Sequence, residues 1–302
     1  MATPDTSTLV ADLIDRFHQR SPLRLWSLVI TVYGDAITSR GGSLWLGTLL
    51  DLFEAMRINS GAVRAAMSRL ASDGWIERHR NGRNSFYRLS EKGRRDFERA
   101  GRRIYASSPD DWSGGWLIGV LRSDDSGVRE TARVEMKARG FGTLAPNVFV
   151  RPDTADAQAG EGLPDDIFLF TARTEEEVAA VRAMAAEAWP MEHLELAYGN
   201  LIAAYGDLPA ALDRTPPSPL QAMIVRTLLI HDYRRIALQD PLFPADMLPL
   251  DWNGEEARAL AGDLYRRLVP QSEAWLDDKG RAEDGDLPPP DAAFRKRFGG
   301  SA

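Results

Sequence analysis

Cysteine is absent from this 302-residue chain. That removes a disulfide framework, a cysteine-ligated zinc site and a thiol nucleophile together. Histidine is scarce. The four residues His18, His79, His193 and His231 include no pair at a metal-ligand spacing. No Walker loop, no G-x-G-x-x-G after a strand and no G-x-S-x-G occurs, so nucleotide-dependent and serine-nucleophile enzymes have no motif to stand on. No apolar run is long enough to span a bilayer, and no basic-then-apolar leader opens the chain. The expectation is a cytoplasmic protein, not an enzyme, with no membrane partner, no metal and no cofactor. Lysine is nearly missing from residues 16–106, where 16 of the 17 basic residues are arginine. That preference favours phosphate and base-edge recognition over simple solubility.

What is present is ordinary in bulk and uneven in detail. A composition 44% hydrophobic and 27% charged over this length predicts a globular chain of two or three domains with sizeable cores. The net charge of −7 conceals an asymmetry. Residues 16–106 hold 17 basic against 8 acidic side chains, and residues 107–302 hold 20 against 33. A basic segment in an acidic chain points to a polyanionic partner for that segment alone.

The basic segment has its own order of elements. Residues 24–33 read as a buried helix, with Gly34 and Gly41-Gly42 as punctuation after it. Residues 45–56 carry apolar positions at helical spacing, and Asn59 and Ser60 offer an N-cap for a helix over 61–73. Two short strands, 75–79 and 85–89, flank the turn signal Asn81-Gly82, and an arginine-rich helix over 91–106 closes the unit. This is the pattern of a winged helix-turn-helix.

At ~100° per residue, Val63, Met67 and Leu70 form one inward stripe of the 61–73 helix, and Gly61, Ala65, Ser68 and Ser72 lie opposite. A face of small residues lets a helix come close to base edges in a major groove. Arg64 and Arg69 flank it. Arg64 and Ser68 are the candidates for base or near-base contacts, and Arg69 for the backbone, with an internal pair to Asp73 or Glu54 as its alternative. Ser60, Ala65 and Arg40 complete the candidate set on this side. Arg80, Arg83, Asn84 and Ser85 at the hairpin are candidates for the adjacent minor groove or its phosphates.

Downstream, residues 116–195 read as strand, helix, two strands, a loop over 153–165, strand and helix, with a last strand near Leu194. That order predicts a ferredoxin-like α+β domain. Residues 196–276 read as helical, and the acidic, proline-rich stretch 284–291 as poorly ordered. The expected division is an N-terminal extension (1–21), a DNA-binding domain (22–106), a central domain (107–195) and a helical C-terminal domain (196–302), in the α+β class. Asp124-Asp125 after the first central strand leaves one alternative of another class, a metal-dependent nuclease. An adjacent acidic pair there is usually a turn.

Several runs are specific. They include Ser39-Arg40-Gly41-Gly42-Ser43-Leu44-Trp45, Val63-Arg64 with Ser68-Arg69-Leu70, Asn81-Gly82-Arg83-Asn84-Ser85-Phe86-Tyr87, Gly140-Phe141-Gly142-Thr143-Leu144, and Leu229-Ile230-His231-Asp232-Tyr233-Arg234-Arg235. With the Trp112…Trp116 pair, Trp252-Asn253-Gly254 and Arg297-Phe298-Gly299-Gly300, the chain resembles the PaaX family of phenylacetate-catabolon repressors over nearly its whole length. The resemblance implies a repressor with a GntR-like winged helix, a central ferredoxin-like domain and a helical C-terminal domain. It implies double-stranded operator DNA as partner, and release from that DNA by phenylacetyl-CoA or a related acyl-CoA, the alternative being a regulator of the same architecture that answers a different acyl-CoA or another aromatic acid. A homodimer on a two-fold operator is expected, with the ligand bound between C-terminal domains. One departure is Gly115, where the family usually carries a basic residue. An anionic CoA in an acidic C-terminal region needs a local basic cluster. His231, Arg234 and Arg235, at i, i+3 and i+4, are the candidates, with Tyr233, Trp112 and Trp116 as aromatic surface.

Overall fold

A computed structural model describes residues 4–106, 112–154, 163–174, 178–243, 248–249 and 251–300. Helices combine with antiparallel sheets, which places the chain in the α+β class. No described helix is long and apolar enough to cross a membrane.

The chain groups into two compact units rather than contiguous domains. One comprises Met1–Ser107, Leu201–Arg234 and Arg258–Ala302, and the other Ser108–Asn200 and Arg235–Ala257. The expected boundary at 195/196 is therefore not where the chain divides. Most of the C-terminal helical region packs with the N-terminal basic segment, through long-range side-chain partners that local periodicity does not reveal.

In the first unit, α1 (Thr6–His18) starts at Asp5, whose carboxylate accepts from the Thr8 amide at 2.8 Å. Val10, Leu13, Ile14 and Phe17 form its buried stripe, so the expected extension 1–21 contains a packed helix. α2 (Leu25–Val32) runs into a π-type turn (Tyr33–Ile37) and a 3₁₀ turn (Thr38–Arg40). Then come β1 (Ser43–Trp45), α3 (Leu46–Ala55), α4 (Ser60–Ser72), β2 (Ile76–Asn81), β3 (Asn84–Leu89) and α5 (Glu91–Ile104). The three strands form an antiparallel sheet in the order β1-β3-β2, with Leu44 opposite Tyr87 and Arg78 opposite Tyr87 on the other side. β1 was hidden in sequence because three residues between a glycine pair and a helix carry no strand period.

A buried polar network ties this unit together. Asp35 of the π-type turn, 2% exposed, accepts from Arg226 Nε at 2.7 Å, Tyr105 Oη at 2.7 Å and Tyr265 Oη at 2.9 Å. Arg226 also donates to Glu273 and Ser272. Burial opposes the charge of Arg297, but the Tyr105 and Tyr265 hydroxyls and Asp35 outweigh it and raise its pKa. After α11 (Gly254–Lys279) the chain forms a small hairpin, β8 (Arg281–Ala282) with β9 (Gly285–Asp286), and a short turn of helix, Ala292–Arg295. The stretch 284–291 expected to be poorly ordered is thus held. Leu287 is buried, the Asp291 amide donates to the Ser39 carbonyl, and the Asp291 carboxylate caps Phe294.

The second unit holds β4 (Trp112–Leu121), α6 (Ser126–Ala138), β5 (Gly142–Ala145), β6 (Val148–Thr154), β7 (Ile167–Arg173) and α7 (Val178–Ala188). Its antiparallel sheet has the order β5-β6-β4-β7. Leu121, Ala132, Met136, Phe141, Phe149 and Ile167 form the core between α6 and the sheet. The strand expected near Leu194 is instead inside α8 (Met191–Tyr205), with Leu194 fully buried. Asp125, half of the acidic pair, is the N-cap of α6 and accepts from the Gly127 and Val128 amides at 2.9 Å. Among the described residues no group of three or more His, Asp or Glu side chains is placed to hold a metal ion.

Candidate nucleic-acid interface

The α3–α4 corner is made by local backbone chemistry. Arg57 follows α3 at φ +59°, the left-handed conformation usually left to glycine. There its amide donates to Glu54 O and the Ile58 amide to Phe53 O, both at 2.8 Å, the two bonds of a Schellman stop. Ile58 is buried beneath the corner. Asn59 then caps α4 by accepting from the Ala62 amide at 2.8 Å. The chain is thereby turned within four residues, and α4 is set across α3.

Val63, Ala66, Met67 and Leu70 bury one side of α4, each 7% exposed or less. The opposite side is exposed at Ser60, Gly61, Arg64, Ala65, Ser68, Arg69 and Ser72. This face is smooth at its centre and edged by guanidinium groups. Arg69 is less independent than Arg64. Its guanidinium lies 5.2 Å over the Trp26 ring and its Nε is 3.6 Å from Asp73, while about three-fifths of the side chain stays exposed. That contact with Asp73 is weak for a solvated pair.

The β2–β3 hairpin projects beside this helix in sequence. Its strands run one to two residues further than expected, so the two-residue turn is Gly82-Arg83 rather than Asn81-Gly82. Gly82 sits at φ +61°, which a side chain would strain. Arg80, Arg83 and Asn84 are exposed, and Ser85 is half-buried with its hydroxyl accepting from Arg78 at 2.9 Å. An acidic neighbour stands close. Glu283, in the turn of the β8–β9 hairpin, lies 3.7 Å from Arg88, and its carbonyl accepts from Asn81 Nδ2 at 3.5 Å. Sequence reading missed this neighbour, because nothing local links positions 81 and 283.

Arg40 does not belong to the exposed set. It is 1% exposed and makes ion pairs with Glu273 at 2.8 Å and Asp277 at 2.7 Å. A buried guanidinium must be paired, so its role is to join the N-terminal segment to α11.

The expected ligand cluster is likewise spent on packing. His231 is 4% exposed, with Nδ1 3.0 Å from Thr31 Oγ1 and its ring edge-on to Phe17. Arg234 donates to Thr31 Oγ1, Ser27 O and Ser27 Oγ at 2.6–2.8 Å. Tyr233 is 1% exposed and Trp116 3%, the latter edge-to-face with Phe243 at 6.1 Å. Arg235 is exposed and belongs to the second unit. The Trp112 side chain lies outside the described residues. The i, i+3, i+4 spacing was real, but α10 (Pro219–Ala237) is buried along most of its length and turns His231 and Arg234 inward.

Comparison with known proteins is consistent over both ends of the chain. The model of the PaaX-like protein family matches residues 24–93, and that of the PaaX-like protein C-terminal domain matches residues 189–278. The transcriptional repressor PaaX of Escherichia coli (strain K12) is 35% identical over 300 residues, covering 95% of each chain. A solved structure, the uncharacterized protein Rv0674 from Mycobacterium tuberculosis, aligns with 76% of this chain and 90% of its own at 25% identity and a TM-score of 0.49.

Proposed function

The chain belongs to the PaaX-like family, and from that premise we propose that it is a transcriptional repressor gripping double-stranded operator DNA through a winged helix-turn-helix spanning residues 22–106. The single observation that carries this reading is the exposed face of α4. Its centre is Ser60, Gly61, Ala65, Ser68 and Ser72, and Arg64 is exposed on its edge, on a helix whose other side is core. In this reading α4 enters a major groove, Arg64 and Ser68 read or approach base edges, and Arg69 steadies a phosphate. Arg80, Arg83 and Asn84 of the wing meet the neighbouring backbone or minor groove. Ser85 acts through Arg78 rather than directly.

The second unit supports a ferredoxin-like reading by its strand order. Numbered by appearance, its strands lie 2-3-1-4 across the sheet, as in that fold. It departs in one respect: among the described residues its second helix, α7, follows the fourth strand instead of preceding it. The E. coli relative is a transcriptional repressor, which leaves the nuclease alternative without support, and Asp125 is already committed as a helix cap.

A homodimer would set two copies of α4 on half-sites of a two-fold operator. The effector in this reading is an aryl-acyl-CoA such as phenylacetyl-CoA, bound more tightly by the DNA-free state, since equal affinity for both states shifts nothing. The test is a gel shift on the gene's own upstream duplex with phenylacetyl-CoA and other CoA thioesters. Retarded DNA released by a thioester is expected. No retardation at physiological salt overturns the repressor reading, and retardation indifferent to every thioester overturns the effector reading alone.

A further inference from the structure

The first unit contains a cleft of about 510 Å³ that none of the residues discussed as ligand candidates line. One wall is α5, through Phe97, Gly101 and Arg102, with Tyr105 at its C-cap; the facing walls are the π-type turn, at Gly34, and the C-terminal segment, at Phe294 and Lys296. The size falls in the ordinary range for small-molecule sites. Three features give it a chemistry. Its lining includes the aromatic rings of Phe97, Tyr105 and Phe294. Its charged lining is Arg94, Arg102, Lys296 and Arg297 with Glu98 and Asp291; Arg94 is paired with Glu91 and Glu98 and Arg297 with Asp35, so the cations that bear on a ligand are Arg102 and Lys296 at the rim. Asp291 is further occupied as a helix cap.

The third feature is two glycines. Gly101 lies inside α5, where glycine costs about 1 kcal/mol relative to alanine, and no neighbour demands it. A Cβ built there meets only the Tyr105 ring, at 3.9 Å, and one on Gly34 meets only the Phe97 ring, at 3.7 Å. Both are ordinary contact distances with no positive φ, so neither turn geometry nor crowding explains either residue. Their common effect is to keep side chains out of the cleft.

We propose that this cleft is the effector seat: it takes an aromatic ring tethered to an anionic group, with the ring against Phe97 and Phe294 and the charge at the rim beside Arg102 and Lys296. The inference rests on the effector reading above and moves its site from the α10 cluster to the α5 cleft. Its position accounts for communication with DNA. α5 continues from wing strand β3 through its cap Ser90, whose hydroxyl accepts from the Gly93 amide at 3.0 Å. The opposite wall is tied to the same unit by Asp291 N to Ser39 O and Phe298 N to Tyr105 O, both 2.9 Å. A ligand between these walls bears directly on the helix that carries the wing.

Two sources offer this chemistry, a free aryl carboxylate and an aryl-CoA thioester. Calorimetric titration of the full chain with phenylacetate and, separately, phenylacetyl-CoA distinguishes them. Gly101→Leu fills the cleft from a helix that tolerates leucine, and Lys296→Glu inverts an exposed rim charge without touching the core. The expected result is binding of at least one probe, weakened tenfold or more by Gly101→Leu and severalfold by Lys296→Glu, with thermal melting showing both variants folded. Should Gly101→Leu fail to fold, Lys296→Glu alone decides. Wild-type affinity in the folded variants overturns the cleft and leaves the effector reading standing. A probe that binds in a cleft-dependent way yet never releases operator DNA overturns the effector reading and leaves the cleft. Binding of neither probe overturns both.

Discussion

Replacing Arg226 with methionine strikes the centre of the first unit, and the size of the effect follows from the partners left behind. Arg226 is wholly buried and bonds Asp35 at 2.7 Å, Glu273 at 2.5 Å and Ser272 at 3.0 Å. Breaking a buried pair from one side typically costs about 3–5 kcal/mol, because the surviving charge is stranded. Here neither carboxylate is stranded completely. Asp35 keeps Arg297 at 3.2 Å and the hydroxyls of Tyr105 and Tyr265, and Glu273 keeps Arg40 at 2.8 Å. The cost therefore falls at the lower end, about 3 kcal/mol, which corresponds to a melting temperature lower by roughly 6–12 °C for a unit of this size. Differential scanning calorimetry on Arg226→Met, Asp35→Asn and the double variant reads it. Side chains sharing one network should couple by about 0.5–3 kcal/mol. A melting shift under about 3 °C, or strictly additive single effects, refutes the claim that this network holds the unit together.

Arg40→Ala should lower stability by about 3 kcal/mol for the same reason, while leaving the salt dependence of DNA binding unchanged in the folded variant; a flatter salt slope would restore Arg40 to the contact set. Glu283→Gln should tighten duplex binding severalfold at low salt, by removing the carboxylate beside Arg88, and the gain should fade as salt screens it; equal affinity at low ionic strength refutes the coupling of that hairpin to the wing. Tyr33, Tyr105, Tyr205 and Tyr265 have pKa values pushed up from the ordinary 10.0, in each case chiefly by burial. Groups raised on folding give their full stability below the unfolded value and lose it as pH climbs above it, so the chain should unfold cooperatively above about pH 10. Full tyrosinate absorbance from all seven tyrosines at about pH 11, where a phenol of ordinary pKa is almost wholly ionised, with circular dichroism still native, refutes this.

Much of the segment from α3 to β3 was legible in sequence because its signals are local. The period of Val63, Met67 and Leu70, the Asn59 cap and the glycine-bearing turn each act within a few residues, and each is found within one or two positions of its expected place. What stayed hidden depends on distant partners. Arg40 looks like any exposed arginine until Glu273 and Asp277 arrive from over two hundred residues away. His231 and Arg234 present a basic face until Thr31 and Ser27 of α2 cover it. The Glu283 hairpin beside β2–β3 is equally nonlocal, and its acidic, proline-rich context reads as unstructured when its contacts are unseen. The α5 cleft had one local signal, a glycine within a helix, whose meaning needs the facing wall.

Fluorescence anisotropy of the upstream duplex, titrated with wild type and with an Arg64→Ala, Arg83→Ala double variant across a salt series, addresses the central claim most directly. Two phosphate or base-edge cations removed should weaken binding at least tenfold and reduce the slope of log affinity against log salt by roughly 1–2. A folded double variant with wild-type affinity and slope would mean that the exposed face of α4 and its neighbouring hairpin are not what holds the DNA.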